Sequence, residues 1–454
     1  MKSLSRVFFA ASILLLLAPC VAPRFARAQQ SASPAQTRQQ PSPGASPAAA
    51  PEASQKIVTA YTLPPDLYEK TQHLEKVRLT LLVVSTIYGL VVLWLFLQWK
   101  LGPKYRDWAE RASSNFLLQA LIFAPLFVLT TDVLTLPTGI FEQWELRNYG
   151  LSIQGWGSWT WDWAKGELVN AIIGFILISI LYAVIRKSPR GWWLWFWLAS
   201  LPLAILLIFI QPLVIDPLFH KFEPLQQKDP ALTAALEQMV QRAGQNIPPE
   251  RMYWMNASEK VNELNAYATG LGASKRIVVW DTTIAKLNTP QIVAVGGHEM
   301  GHYVLNHIPK GFTIFALGSL ILFYLGYRLI GWLLAWRGAA WEIRSTGDFA
   351  SVTALLLLLS IFTVILIPVT NAISRYFEHQ ADQYGLEVTH GLTSDSPQVA
   401  AQTFQILGEV NLEYPDPGPI DVLLTFDHPP VRDRVQFSLR YDPWAHGGHG
   451  EFVH

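Results

Sequence analysis

The segment HEMGH at residues 298–302 has two histidines four residues apart, with a glutamate after the first. At about 100° per residue on an α-helix, His298 and His302 lie about 40° apart on one face, so both imidazoles can reach one metal ion. Glu299 lies next to that face and can act as a general base toward water. The motif is that of zinc hydrolases. An accidental polar helix face is the alternative interpretation.

A catalytic zinc usually has three protein ligands and one open position, so a third ligand must come from elsewhere. The segment SRYFEHQADQYG (374–385) offers it, because Glu378 and Asp382 are four residues apart and share a helix face. Glu378 could bind the metal. Asp382 could hydrogen-bond the free nitrogen of a ligand histidine and fix its tautomer. The alternative is an ordinary solvated acidic face.

The remaining histidines are predicted to lie outside the metal site. His307 follows His302 by five residues, about 140° around a continuous helix, and should not share the metal. His379 and His390 are predicted to be surface residues. The tail HGGHGEFVH (446–454) is predicted to be flexible.

The elements that position these residues belong to a membrane protein. The 454 residues are 51% hydrophobic and 15% charged, and soluble domains usually have about a quarter charged residues. A run of about 18 apolar residues or more can cross a bilayer. Six such runs lie at about 79–97, 116–136, 168–185, 192–214, 312–335 and 351–369. Tryptophans crowd their edges, as in an interfacial aromatic belt.

Charge and cysteine content exclude other classes. The formal net charge is zero, which indicates no nucleic acid or other polyanion as partner. The single cysteine, Cys20, excludes a disulfide framework and a cysteine metal site within the chain. A lipid bilayer and a peptide or membrane-protein substrate are the expected partners, and the oligomeric state does not follow from the sequence.

The first 56 residues are predicted to precede the folded protein. Residues 1–28 have a basic start, a short apolar core and the small-x-small pattern Ala26-Arg27-Ala28, which indicates a signal peptide. An uncleaved first anchor is the alternative. Residues 29–56 are rich in Ala, Pro, Ser and Gln, and are predicted to be a disordered linker.

The rest of the chain divides into membrane and soluble parts. We predict an N-terminal membrane region (57–214), a soluble block with the HEMGH helix (215–310), a transmembrane hairpin (311–370), a second catalytic block (371–440) and a flexible tail (441–454). Within the first soluble block, the patterns predict an amphipathic helix at 230–244, a strand at 276–284 and a helix at 290–308. The two soluble blocks should meet as one module.

Several ordered segments together resemble the type I CAAX prenyl proteases, the a-factor-converting integral-membrane zinc endopeptidases. The resemblance covers roughly residues 60–440. The matching segments are TLPPDLYEK (62–70), YGLSIQGWGSWTWDWAKG (149–166), IDPLFHKFEPL (215–225), NAYATG (265–270), KRIVVWDT (275–282), HEMGH, EHQAD (378–382) and HPPVRDR (428–434).

The resemblance implies a mainly α fold, a polytopic membrane helical barrel around an intramembrane chamber. Seven helices would form the ring, and a soluble zinc-protease module with a small β element would cap it. A chamber filled with water would let a charged metal lie at membrane depth.

The resemblance also implies roles for the site residues. His298, His302 and Glu378 would bind one Zn²⁺, with Glu299 as the base. Asn265 would hold substrate backbone. The residues His428 and Arg434 would face the scissile bond or a substrate carboxylate, which suits the planar guanidinium of arginine. For Asp382, a role as proton donor stays open beside that of orienting a histidine, and a rigid turn is the alternative for HPP.

The predicted function is therefore that of an integral-membrane zinc metalloendopeptidase. One alternative keeps the enzyme but changes the substrate, to misfolded or stalled membrane proteins without a prenyl group. The other is a catalytically silent channel, transporter or scaffold with a vestigial metal motif. The complete ligand set and Glu299 favour the enzyme.

The distribution of basic residues predicts which side the catalytic module faces. Four of them, Lys100, Lys104, Arg106 and Arg111, follow the first long run, and three more, Arg186, Lys187 and Arg190, follow the third. The loop 137–167 has only Arg147 and Lys165. Positive residues favour the cytoplasmic side, so the zinc site should open to the exterior, the periplasm in a bacterium. The resemblance implies the opposite, because type I CAAX proteases act on cytosolic substrates.

Overall fold

A computed structural model describes residues 57–453. Its N-terminal half is built from long helices: α1 (Pro65–Gln98), α2 (Leu101–Ala112), α3 (Phe116–Asn148), α4 (Trp156–Lys187) and α5 (Trp192–Ile210). A π-helical turn, Gln211–Ile215, continues α5 into α6 (Asp216–Phe219). The predicted signal or anchor (1–28) and the predicted linker (29–56) lie outside the described residues.

A four-stranded sheet and short helices follow. The strands are β1 (Phe222–Pro224), β2 (Met252–Met255), β3 (Ala266–Thr269) and β4 (Arg276–Trp280), in the order β1-β2-β4-β3. The pairing of β2 with β4 is parallel, and the other two pairings are antiparallel. Between and after them lie α7 (Leu225–Lys228), α8 (Pro230–Arg242), α9 (Asp281–Lys286) and α10 (Thr289–Val304).

Five helices complete the chain. They are α11 (His307–Arg337), α12 (Val352–Thr389), α13 (Ser396–Val410), α14 (Pro419–Thr425) and α15 (Val431–Arg440). The last described residues return to α12, where the backbone amides of Glu451, Phe452 and Val453 donate to Glu387. These residues belong to the tail that we expected to be flexible.

Two predicted elements in the soluble block end earlier than the sequence pattern indicated. The strand predicted at 276–284 ends at Trp280, because Asp281 begins α9. The helix predicted at 290–308 ends at Val304, and a new helix begins at His307. Asn306 separates them in the left-handed region, at φ +57°. The amphipathic helix predicted at 230–244 is α8.

Six helical segments in the described chain are long and apolar enough to cross a membrane. Each packs mainly against two others, in the closed order α1, α3, α4, α5, α11, α12 and back to α1. Within residues 57–453, no extensive contact joins helices on opposite sides of this ring. Large apolar side chains stay exposed along the ring, as a lipid-facing surface requires. The resemblance implied seven helices, and residues 57–453 supply six.

The ring has two different ends. The soluble module lies at one end. The opposite end, here called the distal end, is formed by residues 99–115, 188–191 and 338–351. There Arg106 of α2 pairs with Asp348 at 2.5 Å, and both side chains are buried. Phe96, Phe123 and Phe349 pack in the same apolar core. Packing and a buried ion pair thus hold the distal end together.

Candidate metal centre

The helix that carries HEMGH crosses α12 at very short range. A capping box between Asn288 and Gln291 begins α10, and glycines then face α12. A Cβ on Gly301 would lie 3.0 Å from Ala381 Cα, and one on Gly297 would lie 2.9 Å from a Val388 methyl carbon. Because glycine has no Cβ, the two backbones can approach closely. This crossing brings HEMGH beside EHQAD.

The predicted ligands converge on one point. His298, His302 and Glu378 are buried, and their donor atoms all lie within 4.8 Å of one another. His298 Nε2 is 3.3 Å from His302 Nε2 and 3.1 Å from Glu378 Oε2. His302 Nε2 is 3.7 Å from Glu378 Oε1. Among the described residues, no hydrogen bond satisfies Glu378 Oε2.

These separations fit zinc. Two nitrogens bound at about 2.0–2.1 Å to a tetrahedral Zn²⁺ lie about 3.3 Å apart, which is the observed His298–His302 separation. The chemistry of the donors, two imidazoles and a carboxylate, is that of a catalytic zinc site with three protein ligands. The buried carboxylate oxygen without a hydrogen bond would be satisfied by a cation.

Burial and charge act differently on the two histidines. Burial opposes protonation of both. For His298, the neighbouring carboxylates of Asp382 and Glu378 outweigh burial and raise the pKa. For His302, burial dominates and lowers the pKa to about 3. His302 is therefore neutral at physiological pH, and neutral imidazole is the form that binds metals.

A buried carboxylate stands behind His298. Asp382 Oδ1 lies 2.8 Å from His298 Nδ1, on the side of the ring away from the other ligands. Arg434 of α15 donates to both oxygens of Asp382, from Nε at 2.8 Å and from a terminal nitrogen at 2.5 Å. Its guanidinium also lies 4.0 Å from the Phe404 ring centroid. Arg434, expected from the resemblance to bind substrate, is thus held against Asp382.

His428 contacts the ligand carboxylate from another side. Its Nε2 lies 3.1 Å from Glu378 Oε2, and its Nδ1 lies 2.7 Å from Asp427 Oδ1. Although burial opposes protonation, the negative charges of Glu378 and Asp427 raise the pKa of His428 to about 10. The segment HPP thus brings a buried imidazole into contact with a ligand of the metal centre.

Glu299 joins the centre to the edge of the sheet. The strand β3 is an edge strand, and the backbone amide of Ala268 donates to Glu299 Oε2 at 3.1 Å. Asn265 directly precedes β3, where its backbone amide donates to Thr283 Oγ1 at 2.7 Å. The general-base candidate therefore lies beside the edge strand of the sheet.

Sequence reasoning missed three contributors. Asp427 could have been suspected as the neighbour of His428, whereas no sequence signal points to Phe404. His307 was placed outside the site because a continuous helix was assumed. The structure puts His307 Nδ1 3.1 Å from His302 Nδ1. His379 and His390, as predicted, contact none of the ligands, and lie against Phe437 and Trp444.

Two protein families match the chain. Residues 226–441 match peptidase family M48, and residues 49–221 match the family described as the CAAX prenyl protease N-terminal region with five membrane helices. The boundary between the two matches falls where the membrane ring passes into the soluble module. HEMGH, EHQAD and HPP all lie within the M48 match.

Relatives from bacteria and eukaryotes agree with these matches. The uncharacterized metalloprotease YhfN of Bacillus subtilis is 36% identical over 341 residues, 74% of this chain and 77% of that protein. A CAAX prenyl protease 1 homolog of Arabidopsis thaliana is 26% identical over 366 residues, 79% of this chain and 81% of that protein. The crystal structure of Ste24p from S. mikatae covers 83% of this chain and 89% of its own, with a TM-score of 0.70 at 23% identity. That likeness confirms the predicted fold class.

Proposed function

The chain belongs to peptidase family M48 and is an integral-membrane zinc metalloendopeptidase, and on that premise we propose which of its residues carry out peptide hydrolysis. His298, His302 and Glu378 hold the zinc. The observation that carries this assignment is the convergence of three buried donors at separations that fit a tetrahedral ion. When bound, zinc supplies Lewis acidity toward the scissile carbonyl and toward water.

Glu299 is the proposed general base. It takes a proton from the attacking water as the oxygen bonds to the carbonyl carbon, and it gives that proton to the leaving nitrogen as the C–N bond breaks. Its burial beside the ligands and its contact with Ala268 support the role. A peptide that pairs with the edge strand β3 would pass next to this carboxylate.

Asn265 and His428 are the proposed substrate contacts. Asn265 lies at the start of the edge strand, where it can hold the backbone of an extended peptide. His428 lies beside Glu378, with its Nε2 3.1 Å from Glu378 Oε2. It can donate a hydrogen bond to the carbonyl oxygen as negative charge develops there.

Asp382 and Arg434 are the proposed positioning pair. As acceptor for His298 Nδ1–H, Asp382 leaves the Nε2 lone pair directed at the metal. The two hydrogen bonds from Arg434 hold that carboxylate in place and balance its charge. If Asp382 is instead a proton donor, Asp382→Asn should keep its zinc affinity and lose turnover.

The proposed substrate is an extended peptide segment of a membrane-associated protein. Some relatives are named CAAX prenyl proteases, so a prenylated peptide is one candidate. Misfolded membrane proteins without a lipid group are the other. Cells that express Glu299→Gln should retain bound substrates, and mass spectrometry of the trapped chains distinguishes the two. Full peptidase activity of purified Glu299→Gln would refute the proposed base.

We propose that the catalytic module faces the exterior. The seven basic residues that follow the first and third apolar runs lie at the distal end or at the helix ends beside it, and the structure adds Arg337 and Arg344 to them, the latter paired with Glu110 at 2.8 Å. On the module side, the loop between α3 and α4, residues 149–155, has no lysine or arginine, and only Arg147 and Lys165 lie near it on the adjoining helix ends. The positive-inside rule then favours a cytoplasmic distal end.

A further inference from the structure

His307 is a buried histidine that the proposed mechanism does not use. It is the first residue of α11, and its side chain is fully buried. Its ring stacks on Phe377 at a centroid distance of 4.6 Å and an interplanar angle of 12°. Its Nδ1 lies 3.1 Å from His302 Nδ1, and its Nε2 lies 3.2 Å from Gln380 Oε1. Both of its nitrogens are therefore engaged.

The contact exists because the chain turns between α10 and α11. On a continuous helix, His307 would lie about 140° around from His302. Asn306 instead adopts a left-handed conformation, at φ +57°. This break redirects the chain and places the His307 ring against His302, whose other nitrogen faces the metal centre.

The contacts of Gln380 and the metal-facing Nε2 of His302 agree on which nitrogens carry protons. The Gln380 amide nitrogen lies 3.3 Å from Tyr376 Oη, and its amide oxygen lies 3.2 Å from His307 Nε2. His307 Nε2 must then donate, which leaves His307 Nδ1 as an acceptor. His302 Nδ1 donates to it, and the lone pair of His302 Nε2 points toward His298 and Glu378. If His307 Nδ1 carried the proton instead, His302 Nδ1 would have to accept the hydrogen bond. The proton of His302 would then lie on Nε2 and prevent metal binding.

We propose that His307 is a positioning residue for the zinc ligand His302, and that Gln380 sets its tautomer. The two ligand histidines are then held by different partners: His298 by the carboxylate of Asp382 and His302 by a neutral imidazole. Gln380 lies two residues after the ligand Glu378, so one turn of α12 supplies a ligand directly and orients another through His307. This inference depends on the proposed role of His302.

The zinc affinity of purified full-length variants, measured by chelator competition, tests the proposal. His307→Leu keeps the bulk but has no acceptor, and it should bind zinc about 10- to 100-fold more weakly, the usual cost of losing such a partner. His307→Asn can place its amide oxygen near the Nδ1 position and should stay within about threefold of the wild type. Likewise, Gln380→Met should weaken binding, and Gln380→Glu should not. His379→Asn, one residue from Gln380, is the control.

The order of the variants separates positioning from packing. If His307 only fills space against Phe377, His307→Leu should bind zinc better than His307→Asn, and that order would overturn the proposal. Equal affinity of all variants would overturn it too. Cobalt-loaded protein gives a second readout, because a reoriented His302 should change the visible absorption of His307→Leu and Gln380→Met. A wild-type protein that binds no zinc would refute the proposed ligand set instead.

Discussion

Gly385 lies directly against the backbone of His298: a Cβ at position 385 would be 2.9 Å from the His298 amide nitrogen. The close crossing of α10 and α12 therefore depends on the absence of a side chain at this point of α12, which is about two turns beyond Glu378 and one turn beyond Asp382. We expect Gly385→Ala to force the helices apart, to lower stability by about 1–3 kcal/mol and to weaken zinc binding. Thermal unfolding in detergent and zinc content measure the two effects.

Gly318→Ala is the matched control for that variant. Gly318 lies within α11, and a Cβ there would meet nothing within 4 Å. Its stability should be unchanged or slightly higher, since alanine favours the helix. Wild-type zinc content in Gly385→Ala would show that the crossing tolerates a side chain.

The ligand set makes a separate prediction about metal content. The wild-type protein should contain about one zinc per chain. Alanine at His298, His302 or Glu378 should remove most of the zinc, because only two of the three protein ligands would then remain. Glu299→Gln should keep the zinc and lose hydrolysis. His379→Ala serves as a control, since that histidine is exposed and lies against Phe437. Elemental analysis after dialysis measures the zinc, and a full complement in the alanine variants would refute the ligand set.

Asp382→Asn distinguishes the two roles considered for this carboxylate. If Asp382 orients His298, loss of the charge should weaken zinc affinity about 10- to 100-fold. If it is instead a proton donor, zinc affinity should stay and turnover should fall. The geometry favours the first outcome, because Asp382 Oδ1 lies 2.8 Å from His298 Nδ1. Unchanged affinity together with unchanged turnover would rule out both roles.

Arg434 should be coupled energetically to Asp382. Arg434→Met leaves the Asp382 carboxylate buried without its cation, and we expect a loss of about 3–5 kcal/mol in unfolding free energy. The double variant with Asp382→Asn should lose less than the sum of the single variants. Additive losses would contradict the pairing. If Arg434 instead bound a substrate carboxylate, Arg434→Met would raise KM and leave stability unchanged.

The orientation of the module can be measured with two cysteines in a Cys20→Ser background. Ser394 is an exposed residue of the soluble module, and Ser114 is an exposed residue of the distal end. If the module faces outward, an impermeant maleimide should label Ser394→Cys in intact cells or spheroplasts and Ser114→Cys only after lysis. The reverse pattern would refute the proposed orientation.

Local patterns in the sequence already indicated the membrane class, the metal and its three candidate ligands. Helical spacing brings His298 near His302 and Glu378 near Asp382 within single helices, so those pairs follow from the chain itself. The six apolar runs are likewise recognisable because their length matches the thickness of a bilayer, and these runs lie within the six helices of the ring. The two halves of the metal site are about 80 residues apart in sequence, and the resemblance to a known family joined them where spacing could not.

The tertiary structure decided what each side chain contacts. The resemblance implied that Arg434 would face the scissile bond or a substrate carboxylate. Packing of α15 against α12 places its guanidinium in hydrogen-bond contact with Asp382. Helical periodicity predicted that His307 lies outside the metal site. The left-handed conformation of Asn306 instead brings His307 into contact with His302. A helical periodicity cannot reveal a break inside it, because the conformation of a single residue depends on the packing around it. Spacing along a helix therefore identified the candidate ligands within each helix, whereas contacts between helices determined which residues position those ligands.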